Sequence, residues 1–434
     1  MRQALLALRL LLPLALLLDR PMGAAARVRP AELEALMHLY ASASGASWAD
    51  NGNWDAEKDC CRKTRAKRPY RWEDDATEPW VDGGNAYFEP TPFFGVGCLD
   101  PCDDYLDGPG CTAGRVTSLV LRNHGLEGST TDWVGVGEMR NLTFLDLSYN
   151  MLSGSIPTQL GRINNLHILQ LRDNAFSGDL PAELADVNAN GVGELEEVSL
   201  ANNRLTGHLP PSWLAHNASL LSLDVGNNSL SGTLPASYGR LPRLQVFYLR
   251  QNSLSGTLPA TWGAGGGLGD VRYFEVQGGA NKLSGTLPTS IGELTSLQTL
   301  DMSELRLSGT LPTQLGALTN LRFLRLNDNA ISGSIPTEIG RVRGLETLDL
   351  YNNDFVGDMP SEMGLLLNLR LLYLPNEQLL PLRMRYCQQR LPSLGKYSYR
   401  LVREEYYRMV SSICPEPFDT LTAFGTLDQI SGDV

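Results

Sequence analysis

The sequence predicts an α/β solenoid, a stack of short coils that each add one strand to a parallel sheet, with a cap at either end. Three observations predict it. One pattern, L-x-x-L-x-L-x-x-N-x-L-x-G-x-L/I-P, recurs from Val116 to Leu379. Within each copy the paired leucines alternate with polar residues, as in a strand with one buried face. All seven cysteines fall outside residues 112–386, so the repeating middle holds together without them.

The period is read from the asparagine position. It is held by His124, Asn150, Asn174, Asn203, Asn228, Asn252, Asn281, Leu305, Asn329, Asn353 and Glu377, which makes eleven repeats. Six of the ten spacings are 24 residues and the others are 26, 29, 25 and 29. A period of this length identifies a solenoid. Each part of the unit has a physical task. The leucines face inward, each contributing roughly 1.5–3 kcal/mol when buried. The asparagine amide donates to and accepts from backbone groups of neighbouring turns, forming a ladder. Glycine permits a tight turn, and proline ends the strand pairing on the outer side.

The array has three departures. Leu305 replaces a ladder asparagine, which breaks that hydrogen-bonding position. Segments 185–193 and 263–270 lengthen the path before two strands and are expected to be solvent loops. Two further residues lie between Val276 and Asn281.

The segment L-S-G-x-I/L-P-x-x-L-G-x-L, clearest at Leu152–Leu160 and Ile331–Ile339, resembles the plant-type leucine-rich repeat. The resemblance covers roughly residues 31–380. It is to the ectodomains of receptor-like kinases and receptor-like proteins, and to polygalacturonase-inhibiting proteins. It implies a leucine-rich-repeat solenoid, a right-handed superhelix with parallel strands on a concave face and short helical or 3-10 turns on the convex face. No kinase pattern occurs, so a whole receptor kinase is not expected.

The resemblance also informs the ends. Pro30–Ser42 has helical spacing of Leu33, Leu36, Met37 and Tyr40. With Trp48, Trp54 and Phe94-Gly-Val-Gly-Cys98 it is similar to the family's N-terminal cap. The pairing this implies is Cys61–Cys98 and Cys102–Cys111 with Cys60 left over, although the long stretch between Cys61 and Cys98 leaves the connectivity open. Tyr399, Val402, Tyr406, Met409, Val410 and Ile413 recur at helical spacing, so a helix clamped by Cys387–Cys414 is expected at the other end. The expected organisation is a signal peptide over 1–26, an N-terminal cap over 27–115, eleven repeats over 116–380 and a helical C-terminal cap and tail over 381–434. Arg2, the apolar run Leu10–Leu18 and Ala24-Ala25-Ala26 compose the signal, which places the chain outside the cell.

The net charge of −12 disfavours nucleic acid. There is no G-x-S-x-G, P-loop or H-E-x-x-H, and the five histidines have no nucleophile in register, so neither catalysis nor a metal or other cofactor is expected. Function is expected on the strand face. Its middle column reads Val120, Asp146, Gln170, Ser199, Asp224, Tyr248, Glu275, Asp301, Arg325, Asp349 and Tyr373. The next column includes Arg122, Arg172, Arg250, Asn327 and Tyr351. Aromatic residues and arginine most often carry interface energy, which selects Arg172, Tyr248, Arg250, Arg325, Tyr351 and Tyr373 as contacts for a protein or peptide. Replacing Tyr248, Arg250 and Arg325 by Ala is expected to weaken binding at unchanged thermal stability. Asn141, Asn217 and Asn227 head glycosylation sequons, and a glycan on Asn227 would overhang the strand face. An alternative is a structural or adhesive matrix protein that binds cell-wall polysaccharide. Thr233, Thr257, Thr286, Thr310 and Ser334 form a further row, which an ice or carbohydrate lattice would suit only if it were flat. The run Arg62–Arg68 reads as a solvated loop or a processing site.

Overall fold

The computed structural model describes residues 115–130, 133, 135–184, 195–214, 219–263, 265 and 267–374, together with Ala35 and the strands Gly95–Leu99 and Tyr399–Val402. Two compact units divide the chain, Met1–Ala175 with Asp186–Gly193, and Phe176–Ala185 with Glu194–Val434. The signal segment, the run Arg62–Arg68, Asn217 and Cys60, Cys61, Cys102, Cys111, Cys387 and Cys414 lie outside the described residues.

In the first unit the strands Gly95–Leu99, Arg115–Val120, Phe144–Asp146 and Ile168–Gln170 lie side by side in chain order. The first pair is antiparallel and the rest are parallel, with Leu119 beside Leu145 and Leu145 beside Leu169. Short 3-10 turns at Val136–Glu138 and Thr158–Arg162 return the chain. Ala35, the described residue of the N-terminal helix, is buried against the Gly135 backbone.

The second unit repeats this design. Eight parallel strands follow one another: Glu197–Ser199, Ser222–Asp224, Val246–Tyr248, Tyr273–Glu275, Thr299–Asp301, Phe323–Arg325, Thr347–Asp349 and Leu371–Leu374. A second sheet runs along the flank of six of these coils through Ser231–Thr233, Ser253–Thr257, Lys282–Gly285, Arg306–Thr310, Ala330–Gly333 and Asp354–Phe355. Between the two sheets lie the repeat leucines; Leu223, Leu249, Leu300, Leu324 and Leu350 are wholly or almost wholly buried.

The asparagine ladder forms as its chemistry requires. Asn252 is 1% exposed; its Nδ2 donates to the carbonyls of Val225 (3.0 Å), Leu249 (3.1 Å) and Arg250 (3.2 Å), and its Oδ1 accepts from Leu230 N–H (3.0 Å). His124 keeps part of this pattern, with Nδ1 2.8 Å from the Arg122 carbonyl, the contact an asparagine makes two residues back. Asn281 recovers its place although two residues intervene. Gly278 and Gly279, at φ 70° and 66°, bulge out, and Asn281 Nδ2 still reaches Val276 O (2.9 Å) and Leu249 O (3.1 Å). Leu305 is buried at the ladder position it occupies, trading the amide contacts for apolar burial.

Two expectations are corrected. Residues Tyr399–Val402 form a strand rather than the start of a helix; it pairs antiparallel with Leu371–Leu374, Leu372 beside Leu401. The last parallel strand presents unpaired N–H and C=O groups, which a strand satisfies along its whole length. Segment 263–270 is a solvent loop only in part: Gly265 and Asp270 are exposed as expected, whereas Gly263 and Leu268 are buried. Leu268 is 1% exposed, Gly265 N–H faces Glu293 Oε2 (3.3 Å), and Gly267 lies against the Gly239 carbonyl where no Cβ fits. Nearby Trp262 is buried and donates to Pro235 O (3.2 Å), so the extra length wraps an aromatic core.

Candidate ligand-recognition face

The strands align the middle column in register. Ser199, Asp224, Tyr248, Glu275, Asp301, Arg325, Asp349 and Tyr373 stand beside one another in successive strands of the second unit. In the first unit Val120, Asp146 and Gln170 do the same. A row of this kind is rigid because each backbone is hydrogen-bonded on both sides.

Beneath the centre of the row the core changes from leucine to aromatic. The Phe247 and Phe274 rings stack at 5.5 Å, and Trp262 packs on both at 5.5 and 5.7 Å. Their strand neighbours Tyr248 and Glu275 point to the opposite face. Arg250 Nη1 donates to Glu275 Oε2 at 2.9 Å, and its guanidinium lies 4.9 Å from the Tyr248 ring centre. Burial, and then the charge of Glu275, push the Tyr248 phenol well above its ordinary value. Burial also raises the Glu275 carboxyl, with Arg250 pulling the other way. On Arg250, burial opposes the charge, yet Asp224 and Glu275 carry its pKa upward.

Further along, Arg325 reaches Asp301 at 3.4 Å and lies 5.8 Å from the Phe323 ring. Asp349 is raised by burial, against the Tyr351 N–H that it accepts at 3.1 Å. Tyr351 is exposed and Tyr373 half-buried. In the first unit Arg172 Nε donates to Asp173 at 2.8 Å, and its guanidinium lies 5.1 Å from the Tyr149 ring.

The acidic members are less free than their exposed register suggests. Asp301 accepts from Ser303 N–H (3.1 Å) and Oγ (2.7 Å) and is 4% exposed. Asp146 does the same with Ser148. Asp224 accepts from Gly226 N–H at 2.9 Å. These carboxylates cap the strand exit, in the manner of an Asx turn. The expectation that Arg250 and Arg325 can become Ala without loss of stability is therefore corrected, since each removal strips a partner from a half-buried or buried acid. The sequence signal was available in Asp followed two residues later by Ser or Gly.

A second row escaped the sequence reading. The residue before nine of the ladder positions is left-handed: Asn123, Tyr149, Asp173, Asn202, Asn227, Gln251, Glu304, Asp328 and Asn352 all have φ between 51° and 58°. The predominance of Asn and Asp there was its trace in the sequence. Asn227 is exposed, and its Nδ2 donates to Asn202 Oδ1 at 2.8 Å. Among the described residues no group of three or more His, Cys, Asp or Glu is arranged to hold a metal ion, and no helix is long and apolar enough to cross a membrane.

Comparison with known proteins agrees with this architecture. Leucine rich repeat family models match residues 193–254, 141–163, 320–342 and 344–366. A probable leucine-rich repeat receptor-like protein kinase of Arabidopsis thaliana is 34% identical over 84 residues, which are 19% of this chain and 6% of that protein. The leucine-rich-repeat ectodomain of the Arabidopsis receptor kinase HAESA, solved with an IDA peptide hormone ligand, is similar at 29% identity and TM-score 0.50, covering 59% of this chain and 45% of that one. The ectodomain of the Arabidopsis receptor kinase GASSHO1/SCHENGEN3, solved with CASPARIAN STRIP INTEGRITY FACTOR 2, is similar at 30% identity and TM-score 0.48, covering 58% and 32%. The chain thus spans a small fraction of the curated relative and less than half of either structure.

Proposed function

We propose that this leucine-rich-repeat protein is a secreted, non-catalytic recognition module that binds a peptide or protein along its strand face. One observation carries the reading: Tyr248, Glu275, Asp301, Arg325, Asp349 and Tyr373 form a single row on parallel strands, with Arg250 beside Tyr248. Aromatic and arginine side chains held by a rigid sheet lose little entropy on binding, so their contacts go into affinity. The peptide hormone held by the HAESA ectodomain supports the reading by likeness of fold. The acidic neighbours favour a partner with basic residues, because opposite charge speeds encounter and rejects acidic competitors.

The test is capture of partners on the full chain from secreted material, followed by affinity measurement with variants. Because Arg250 and Arg325 neutralise acids, charge is removed in pairs: Arg250→Gln with Glu275→Gln, and separately Tyr248→Ala. Each is expected to weaken the captured partner by tenfold or more while near-native thermal stability is kept. Unchanged affinity in both variants rejects the placement. Retention on cell-wall polymer, with no protein captured, would instead favour the structural alternative.

A further inference from the structure

The strand face of the second unit uses one arrangement twice: a guanidinium laid on an aromatic ring and directed at a carboxylate. Arg250 lies 4.9 Å from the Tyr248 ring centre and donates to Glu275 at 2.9 Å. Arg325 lies 5.8 Å from the Phe323 ring centre and 3.4 Å from Asp301. The first unit has the same arrangement, with Arg172 5.1 Å from the Tyr149 ring centre and 2.8 Å from Asp173. Ring and acid recur at the end of the parallel series in Tyr351, Tyr373 and Asp349. There, among the described residues, no guanidinium stacks on either ring or forms an ion pair with the acid.

Register brings these three residues together. Arg325, Asp349 and Tyr373 are partners on successive strands, so their backbones stand about 5 Å apart and their side chains share one face. Tyr351 follows Asp349 by two residues, and its N–H donates to Asp349 Oδ1 at 3.1 Å, which holds the carboxylate at the foot of Tyr351. Tyr351 is 40% exposed and Tyr373 half-buried, so both rings present surface to a ligand.

The charge around Asp349 is unbalanced. Burial raises its carboxyl first, and Asp328 and Asp301 add to that, while Arg325 opposes them. That guanidinium is already engaged by Asp301 and the Phe323 ring. Asp328 is held by neutral groups, the amides of Asn327 at 2.7 Å and Asn352 at 2.8 Å. Three carboxylates thus share one guanidinium. The next cationic residue along the row is Arg400, which stands opposite Tyr373 in the antiparallel strand, one strand further from Asp349. A cation arriving from outside gains both from the partly buried carboxylate and from the faces of the two rings. A guanidinium suits the place better than an ammonium, because it stacks by its face and still donates in its plane.

We propose that Asp349, Tyr351 and Tyr373 form a subsite for the guanidinium of an arginine side chain carried by a peptide or protein ligand. The ligand completes from outside the arrangement that Arg250 and Arg325 complete from within. The subsite rests on the reading of the strand face as the recognition surface, and adds to it the chemistry of one ligand group.

The probe is Nα-acetylarginine amide, which carries one cation and no anion, titrated against the full chain at low salt and followed by saturation-transfer NMR. Saturable binding is expected, and none is expected for the citrulline analogue, its neutral isostere. Asp349→Asn keeps an acceptor for the Tyr351 N–H and should weaken binding roughly fivefold or more, and Tyr351→Ala roughly threefold. Tyr351→Phe should bind as the wild type does. Asp354→Asn, at an exposed acid of the same coil in the flank sheet, should leave binding unchanged. Circular dichroism of each variant checks the fold, and Tyr351→Ala, at an exposed position, keeps the test decisive should Asp349→Asn misfold. Equal binding of Nα-acetyllysine amide would reject the guanidinium. Absence of saturable binding, or equal binding by wild type and the Asp349 and Tyr351 variants, overturns the subsite. A gain in affinity on Arg400→Gln does so too, since the chain would then supply the cation itself. Capture of a partner that is lost on substitution at Tyr248, with no arginine binding at Asp349, would refute the subsite and leave the strand-face reading standing.

Discussion

At the scale of single residues, the solenoid depends on side chains that serve the backbone. Asn252 satisfies three carbonyls and one N–H from a buried position. Its replacement by Ala takes the acceptor from the Leu230 N–H, at a cost of about 1–3 kcal/mol for a buried group, while the three carbonyls keep Asn228 Nδ2, Asn281 Nδ2 and the Asn227 N–H. Urea denaturation of Asn252→Ala is expected to show a loss of at least ~2 kcal/mol, whereas a loss under ~0.5 kcal/mol would mean that water takes the amide's place. The threonine row has a similar explanation. A Cβ on Gly256, Gly309 or Gly333 would meet the methyl of Thr233, Thr286 or Thr310 at 2.6–2.8 Å. Each threonine methyl thus fills the notch left by the next coil's glycine, and packing alone gives reason for threonine there.

At the scale of elements, the central strands carry charges in a partly dry setting. Burial raises the carboxyl pKa of both Glu275 and Asp349. Between the unfolded carboxylate range and these raised values the folded chain binds more protons than the unfolded chain, so stability falls as pH rises through that window. The thermal midpoint is expected to be higher near roughly pH 5 than near roughly pH 7.5. Glu275→Gln should narrow the difference, because the amide no longer titrates and still accepts from Arg250. A difference unchanged in that variant would assign the effect to the chain's overall negative charge. The same strands sit over Phe247, Phe274 and Trp262, whose rings pack on one another at 5.5–5.7 Å.

At the scale of the whole molecule, coils contact chiefly their neighbours, so stability is a sum of coil and interface contributions. In the second unit, the strand Val246–Tyr248 lies between two coils and over the aromatic cluster. The strand Leu371–Leu374 ends the parallel series, with Leu371 and Leu372 only half-buried. Hydrogen exchange should therefore be slower by at least tenfold in the amides of Val246–Tyr248 than in those of Leu371–Leu374. Equal protection would mean that the unit opens all at once.

The sequence by itself determined the period, the parallel stacking, the buried leucines and the membership of every residue in the strand-face column. These follow from local alternation and from a spacing that repeats, and a linear pattern records both. Only the tertiary structure decided which face residues are committed to one another. Arg250 meets Glu275, Arg325 meets Asp301, and Tyr149 lies between Arg122 and Arg172. Such partners stand about 24 or more residues apart, and side-chain reach across strands, rather than order along the chain, pairs them. The burial of Leu268 and the antiparallel strand Tyr399–Val402 were hidden for the same reason. Glycine-rich composition and helical spacing are local signals, and in both places they yielded to an exposed edge or groove that only the assembled coils create.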